Sequence, residues 1–203
     1  MTLRSINLWG GLCALLWAPA WGGNLSVLVQ DDAGKPLANA VVQLNSPAAA
    51  RAAKSGVAPA IVQRDKAFHP QVTVITTGTS VSFPNEDNVR HHVYSFSPAK
   101  RFELKLYSGT PSAPVVFDKP GVVVLGCNIH DHMVAWVHVV DTPHHGTTDG
   151  QGRLNLTNVP NGRYQMQVWH QRLSPQAPVA AQTIDVGAAE RTLPITLTGL
   201  LPP

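Results

Sequence analysis

From residue 25 onward, short runs in which Val, Ile, Leu or Thr alternate with polar residues recur along the chain, broken by Gly, Pro, Asn and Asp. Alternation of this kind predicts half-buried strands, and it places them over 25–30, 39–45, 60–64, 71–76, 79–84, 89–96, 113–117, 121–126, 134–140, 153–157, 163–169, 180–186 and 192–198. Asp32-Ala33-Gly34-Lys35, Asp149-Gly150-Gln151-Gly152 and Pro160-Asn161-Gly162 supply turn chemistry between them. The Ala-rich stretch 47–60 lacks an amphipathic period and reads as a helical turn or a linker. Residues 98–109 are expected to be irregular or to form a helical turn. Many short, evenly spaced strands and almost no helix predict an all-β protein of packed sheets.

The first 22 residues do not fit this pattern. Arg4 precedes an apolar run from Ile6 to Pro19, and small residues follow at Ala18-Pro19-Ala20 and Ala20-Trp21-Gly22. This is the order of a secretory signal peptide, which predicts an exported, periplasmic protein. A retained anchor is the alternative, although the run is short for a bilayer and no later stretch is long enough to span one. Charged residues make up 13% of the 203, against about 25% in an average domain. With a net charge of +3 there is no basic stripe, and nucleic acid is excluded as a partner.

Removing residues 1–22 leaves Cys127 as the single cysteine, because Cys13 departs with the signal. In an oxidising compartment a lone cysteine is buried and inert, bonded to another molecule, or bound to a metal. Its neighbours favour the metal. Cys127, His130 and Met133 lie on one loop with two residues between successive donors, after the apolar run Val122–Leu125. Thiolate and thioether are soft ligands, and one Cys, two His and a weak axial Met make the donor set of a type 1 copper site. The second His is expected from a different strand, at His91 or His92. Adjacent strand residues face opposite ways, and the small apolar Val89 and Val93 share His91's face, so His91 is the expected ligand. His92 then supports it from behind or lies at the surface.

Segment 61–141 resembles the cupredoxins, the fold of plastocyanin, pseudoazurin and amicyanin. The resemblance rests on Gln63, Phe68, Pro70, Gly78, Val81, Phe83 and Asn85, on Arg90-His91-His92-Val93, and on Phe117-Asp118-Lys119-Pro120-Gly121 with the Cys127 loop. The ligand spacing is similar to amicyanin's short loop. His92 stands where the family has Asn, which puts that Asn's link to the copper loop in doubt. The whole chain also resembles exported cupredoxin-containing proteins labelled methylamine-utilisation-like. On either side, 25–45 and 147–170 resemble consecutive parts of a prealbumin-type, carboxypeptidase-regulatory-like sandwich.

The resemblance implies a Greek-key cupredoxin β-sandwich at 61–142, a linker at 47–60, and a second small sandwich built from both flanks, 23–46 and 143–203. A continuous cupredoxin with β extensions is the alternative. The implied ligands are His91, Cys127, His130 and Met133 around one copper ion. The implied role is one-electron carriage between redox partners such as a cytochrome or dehydrogenase, met transiently. Storage or delivery of copper and a cell-envelope interaction module are the rival readings. No enzyme is expected: a binuclear copper site needs a second Cys, multicopper oxidases need further His-x-His sets, and no covalent haem motif is present. His132, His144 and His145 read as solvated. His69, His138 and His170 read as structural, and Trp136 and Trp169 as core or interface aromatics.

Overall fold

The computed structural model describes residues 22–174, 177 and 179–202. The expected signal peptide, up to Trp21, lies outside the described residues. In chain order the elements are β1 (Gly23–Asp31), β2 (Val41–Asn45), α1 (Pro47–Ala52), β3 (Val62–Arg64), β4 (Ala67–His69), β5 (Val72–Thr76), β6 (Thr79–Val81), β7 (His91–Ser97), β8 (Lys100–Tyr107), β9 (Val115–Phe117), β10 (Gly121–Gly126), β11 (Val134–Val140), β12 (His145–Thr147), β13 (Arg153–Val159), β14 (Gly162–Trp169), β15 (Ala180–Val186) and β16 (Arg191–Leu197). The all-β expectation holds, and β10, β11 and β15 match their expected ranges residue for residue.

Two apolar cores organise the strands. The first lies between a three-stranded sheet, β13-β1-β16, and a four-stranded sheet, β12-β2-β14-β15. Leu25, Val27 and Val29 alternate inward from β1 and meet Val42, Leu44, Met166 and Val168 from the other sheet. Each of these sheets combines a strand from the N-terminal flank with strands from the C-terminal one. The second core is built from 61–139 and carries Ile61, Phe83, Val93, Phe117, Val123, Leu125 and Val137, all fully enclosed or nearly so. Its main sheet has the order β5-β11-β10-β7-β8, with β11 parallel to β5 and antiparallel to β10. The small β3-β4 and β6-β9 pairs complete it.

Two expectations need correction, and one choice left open is decided. Residues 100–107 form a regular strand, not an irregular or helical segment. β8 is an edge strand: Phe102 and Leu104 turn inward while Arg101, Glu103 and Lys105 face solvent, as charged edge residues do where they block further pairing. His145 belongs to β12 opposite Gln43, and both it and His144 are half-buried instead of solvated. The Ala-rich segment opens with α1, whose start is capped by the Ser46 hydroxyl accepting the Ala49 N–H at 3.1 Å. Ala49 is buried in the first core, so 47–60 is not a free linker throughout. Trp136 and Trp169 are interface aromatics. They line a cleft of about 620 Å³ between sheets of the two cores, with Val122 and Val124 on one side and Gln167 and Leu173 on the other.

Candidate metal centre

Cys127 continues the inward parity of β10. Val123 and Leu125 point into the second core, and residue 127 falls on the same side one step past the strand, 3% exposed. The chain then turns twice before β11 begins. The Met133 N–H donates to the His130 carbonyl at 2.9 Å, which closes the loop on itself. Met133 is buried in the same apolar cluster as Cys127.

His91 opens β7, opposite Tyr107 on β8, and is fully buried. The register slips between His91 and Val93, where β8 carries an extra residue. His91, His92 and Val93 are all buried, His91 and Val93 on the core face and His92 on the opposite one, beneath Tyr94 and Glu103. Val89, expected to share His91's inner face, sits in a bend ahead of the strand and is 38% exposed. His91, not His92, is the one placed beside Cys127, and Val89 plays no part in that. His91 Nδ1 lies 3.9 Å from Cys127 Sγ, whereas His92 turns its Nε2 to Glu103 at 2.8 Å and tilts against Tyr94.

His130 Nδ1 lies 4.0 Å from the same sulfur, and the donor atoms of His91, Cys127 and His130 all fall within 4.8 Å of one another. Donors held 2.0–2.3 Å from a common ion at trigonal angles are about 3.7 Å apart. The separations in the cluster are close to those of donors that share an ion. His130 is the half-exposed member; its ring meets His91 edge-on at 5.0 Å and His132 at 6.0 Å. Partial desolvation first, then the proximity of His91 and Lys66, hold its imidazole below the usual range and favour the neutral form a ligand requires.

The wall behind the site is tightly bonded. The Tyr107 hydroxyl donates to the Phe83 carbonyl at 2.6 Å, and the buried Gln63 amide donates to the Tyr107 oxygen and to the Phe83 carbonyl. Burial pushes the Tyr107 phenol up to about 12; Gln63 opposes this and the nearby Cys127 adds to it. Asn85 donates to the Val89 and Tyr107 carbonyls at 2.9 and 3.0 Å and accepts the Asp87 N–H at 3.0 Å, which fixes the approach to His91.

Asp87 is the neighbour that sequence reasoning missed. Its Oδ2 lies 2.7 Å from His91 Nε2. Burial works against its ionisation, but the bonds from His91, Lys66 and Asp65 prevail and keep the carboxyl below the usual range. Spacing carried a faint sign of it, since Asp87 stands four residues before His91. Among the other histidines, His132 is exposed as expected. His170 is buried and structural, with its Nε2 3.1 Å from the Ala38 carbonyl and its Nδ1 accepting the Arg172 N–H at 3.2 Å.

No family model matches the chain, and no curated protein does. Among solved structures, it is similar to the copper-containing nitrite reductase of Thermus scotoductus SA-01, at 26% identity and a TM-score of 0.38, over 40% of this chain and 22% of that one. It is similar to a purple cupredoxin of Nitrosopumilus maritimus, at 23% identity and a TM-score of 0.37, over 41% of this chain and 100% of that one. A reduced Cu(I) variant of amicyanin matches at 18% identity and a TM-score of 0.37, over 49% of this chain and 98% of that one. The chain thus spans under a quarter of the reductase and nearly all of each small cupredoxin, while each match leaves more than half of this chain uncovered. At TM-scores this low, the weight falls on the Cys127 cluster itself.

Proposed function

We propose that this protein is a periplasmic type 1 copper protein that carries single electrons between redox partners. The observation that carries this reading is the convergence of one cysteine sulfur and one ring nitrogen from each of two imidazoles within 4.8 Å, at a largely buried point beside a buried methionine. The donor set argues for copper. A thiolate with two imidazoles and a thioether suits a soft, redox-active ion, whereas zinc sites do not ordinarily employ Met. His91, Cys127 and His130 would hold the ion and Met133 would approach axially. Bound there, copper supplies a one-electron couple.

The chain's own residues prepare the site. Cys127 is presented by a rigid strand end, His91 is fixed by its buried surroundings, and His130 leads to the surface as the port for a partner. That partner is a redox protein, a cytochrome or a dehydrogenase, that docks on a small patch and leaves quickly. No reaction of the protein's own is proposed, so it is not read as an enzyme. Residues 23–46 and 143–203 would form one sandwich interrupted by the copper sandwich at 61–142, and this outer unit would scaffold or dock. Export would follow from the signal-like start; among the described residues no helix is long and apolar enough to cross a membrane.

Copper storage or delivery is the competing reading, and cyclic voltammetry of the copper-loaded protein separates the two. A carrier gives a reversible one-electron couple on repeated cycling. Loss of copper upon reduction would contradict carriage and favour delivery.

A further inference from the structure

Asp87 lies outside any strand, yet its carboxylate is fully engaged. Oδ1 accepts the Asp65 N–H at 2.7 Å, and Oδ2 accepts the Lys66 N–H at 3.0 Å and lies 2.7 Å from His91 Nε2. The two N–H groups belong to the turn of the β3-β4 hairpin, in which Arg64 pairs with Ala67 and the two residues between them have φ of 55° and 54°. Two left-handed residues in succession form the turn that best matches the strand twist, a position normally given to Asn and Gly. Here Asp and Lys adopt it, and consecutive backbone N–H groups converge on one anion. Strained non-glycine residues gather where a structure needs a fixed geometry.

An ionised carboxylate has acceptors only, so the group it meets on His91 must be a donor. A neutral imidazole has one donor and one acceptor. The proton therefore sits on Nε2, and the Nδ1 lone pair is left facing Cys127 Sγ. We propose that the β3-β4 turn and Asp87 form a clamp that sets both the tautomer and the orientation of His91. Asp87 is thus a positioning residue that touches no ion, and the hairpin 62–69 is part of the site although it contributes no ligand. The consequence for metal affinity rests on the copper reading; the tautomer does not.

The test starts with metal-free protein. At about pH 8, where an ordinary imidazole is neutral, long-range ¹⁵N–¹H correlation spectra report which ring nitrogen carries the proton. Wild type is expected to show His91 as the Nε2–H form. Asp87→Asn, which can turn an amide donor toward the ring, should shift or mix the forms, and Asp87→Glu, which restores a carboxylate, should recover the wild-type pattern. Copper titration of the same proteins should show affinity falling about 10–100-fold in Asp87→Asn, with partial recovery in Asp87→Glu. Exposed Asp118→Asn serves as the control and should change neither readout. A wild-type Nδ1–H form, or an Asp87→Asn protein with unchanged tautomer and affinity, would overturn the clamp. A wild-type protein that shows the Nε2–H form and its loss in Asp87→Asn, yet takes up no copper, would uphold the clamp and sink the copper reading.

Discussion

His138 is neutral because of where the fold puts it, and that makes its contribution to stability measurable. It lies on β11 between Val122 on β10 and Val74 on β5, 7% exposed, with its ring edge-on to Trp169 at 5.3 Å. Its Nδ1 is buried without a hydrogen-bond partner. Burial first, and then the neighbouring His145, lowers its pKa from 6.5 to about 4. A histidine whose folded pKa is depressed stabilises the fold above its unfolded pKa, and that stability is lost as pH falls from about 6.5 towards 4. At about 1.4 kcal/mol per tenfold change in proton affinity, the full loss is about 3 kcal/mol, of which about 2 kcal/mol has gone by pH 5. The perturbation is His138→Leu, which removes the titrating ring and leaves no hydrogen bond broken at Nδ1. The assay is urea unfolding of metal-free wild type and variant at about pH 7.5 and pH 5. His144 and His170 also have lowered pKa values and titrate in both proteins, so they cancel in the comparison, while the coupling to His145 is the smaller cause of the shift and leaves burial to set the difference. Wild type should lose about 2 kcal/mol more than the variant between the two pH values. Equal losses with matching m-values would refute the reasoning.

Phe117→Ala empties a fully buried position at which Phe102 meets the ring edge-on, and should cost about 3–5 kcal/mol by denaturant titration. A cost under about 1 kcal/mol would mean that the second core closes over the gap. Gly152→Ala should cost roughly 3 kcal/mol, because residue 152 has φ of 72° and an added Cβ would meet the Val29 carbonyl oxygen and lie 3.1 Å from the Leu37 nitrogen. A neutral result would show that this turn can move away from β1. Met133→Leu keeps the volume of a residue 1% exposed, so the fold should lose less than about 1.5 kcal/mol. Loss of the thioether should raise the midpoint potential of the copper-loaded protein in voltammetry while its thiolate band remains; an unchanged potential would remove Met133 from the site.

Strands whose inward residues are aliphatic were readable from alternation, because burial on one face writes a period of two into the chain. β1, with Leu25, Val27 and Val29 inward, is the clearest case, whereas β10 and β11 were readable as short apolar runs, and they carry Cys127 at the end of one and receive Met133 before the other. β8 escaped that reading because its charges dominate Lys100–Tyr107; edge position, which only pairing reveals, explains them. The clustering of Cys127, His130 and Met133 was legible because their spacing lies within one short segment. The placement of His91 beside Cys127 was legible from strand alternation, but not from Val89, which lies in a bend ahead of the strand and is exposed. Asp87 was not legible. Its role depends on a turn at 65–66 about twenty residues away, and no local pattern links the two.

The most direct test of the central claim is the pair of visible and electron-spin spectra of the Cu(II)-loaded protein recorded beside Cys127→Ser. If the sulfur and the two imidazoles hold one ion, wild type shows an intense thiolate-to-copper band with compressed copper hyperfine splitting, and the variant loses both. A nearly colourless adduct with ordinary splitting, the same in both proteins, would contradict it.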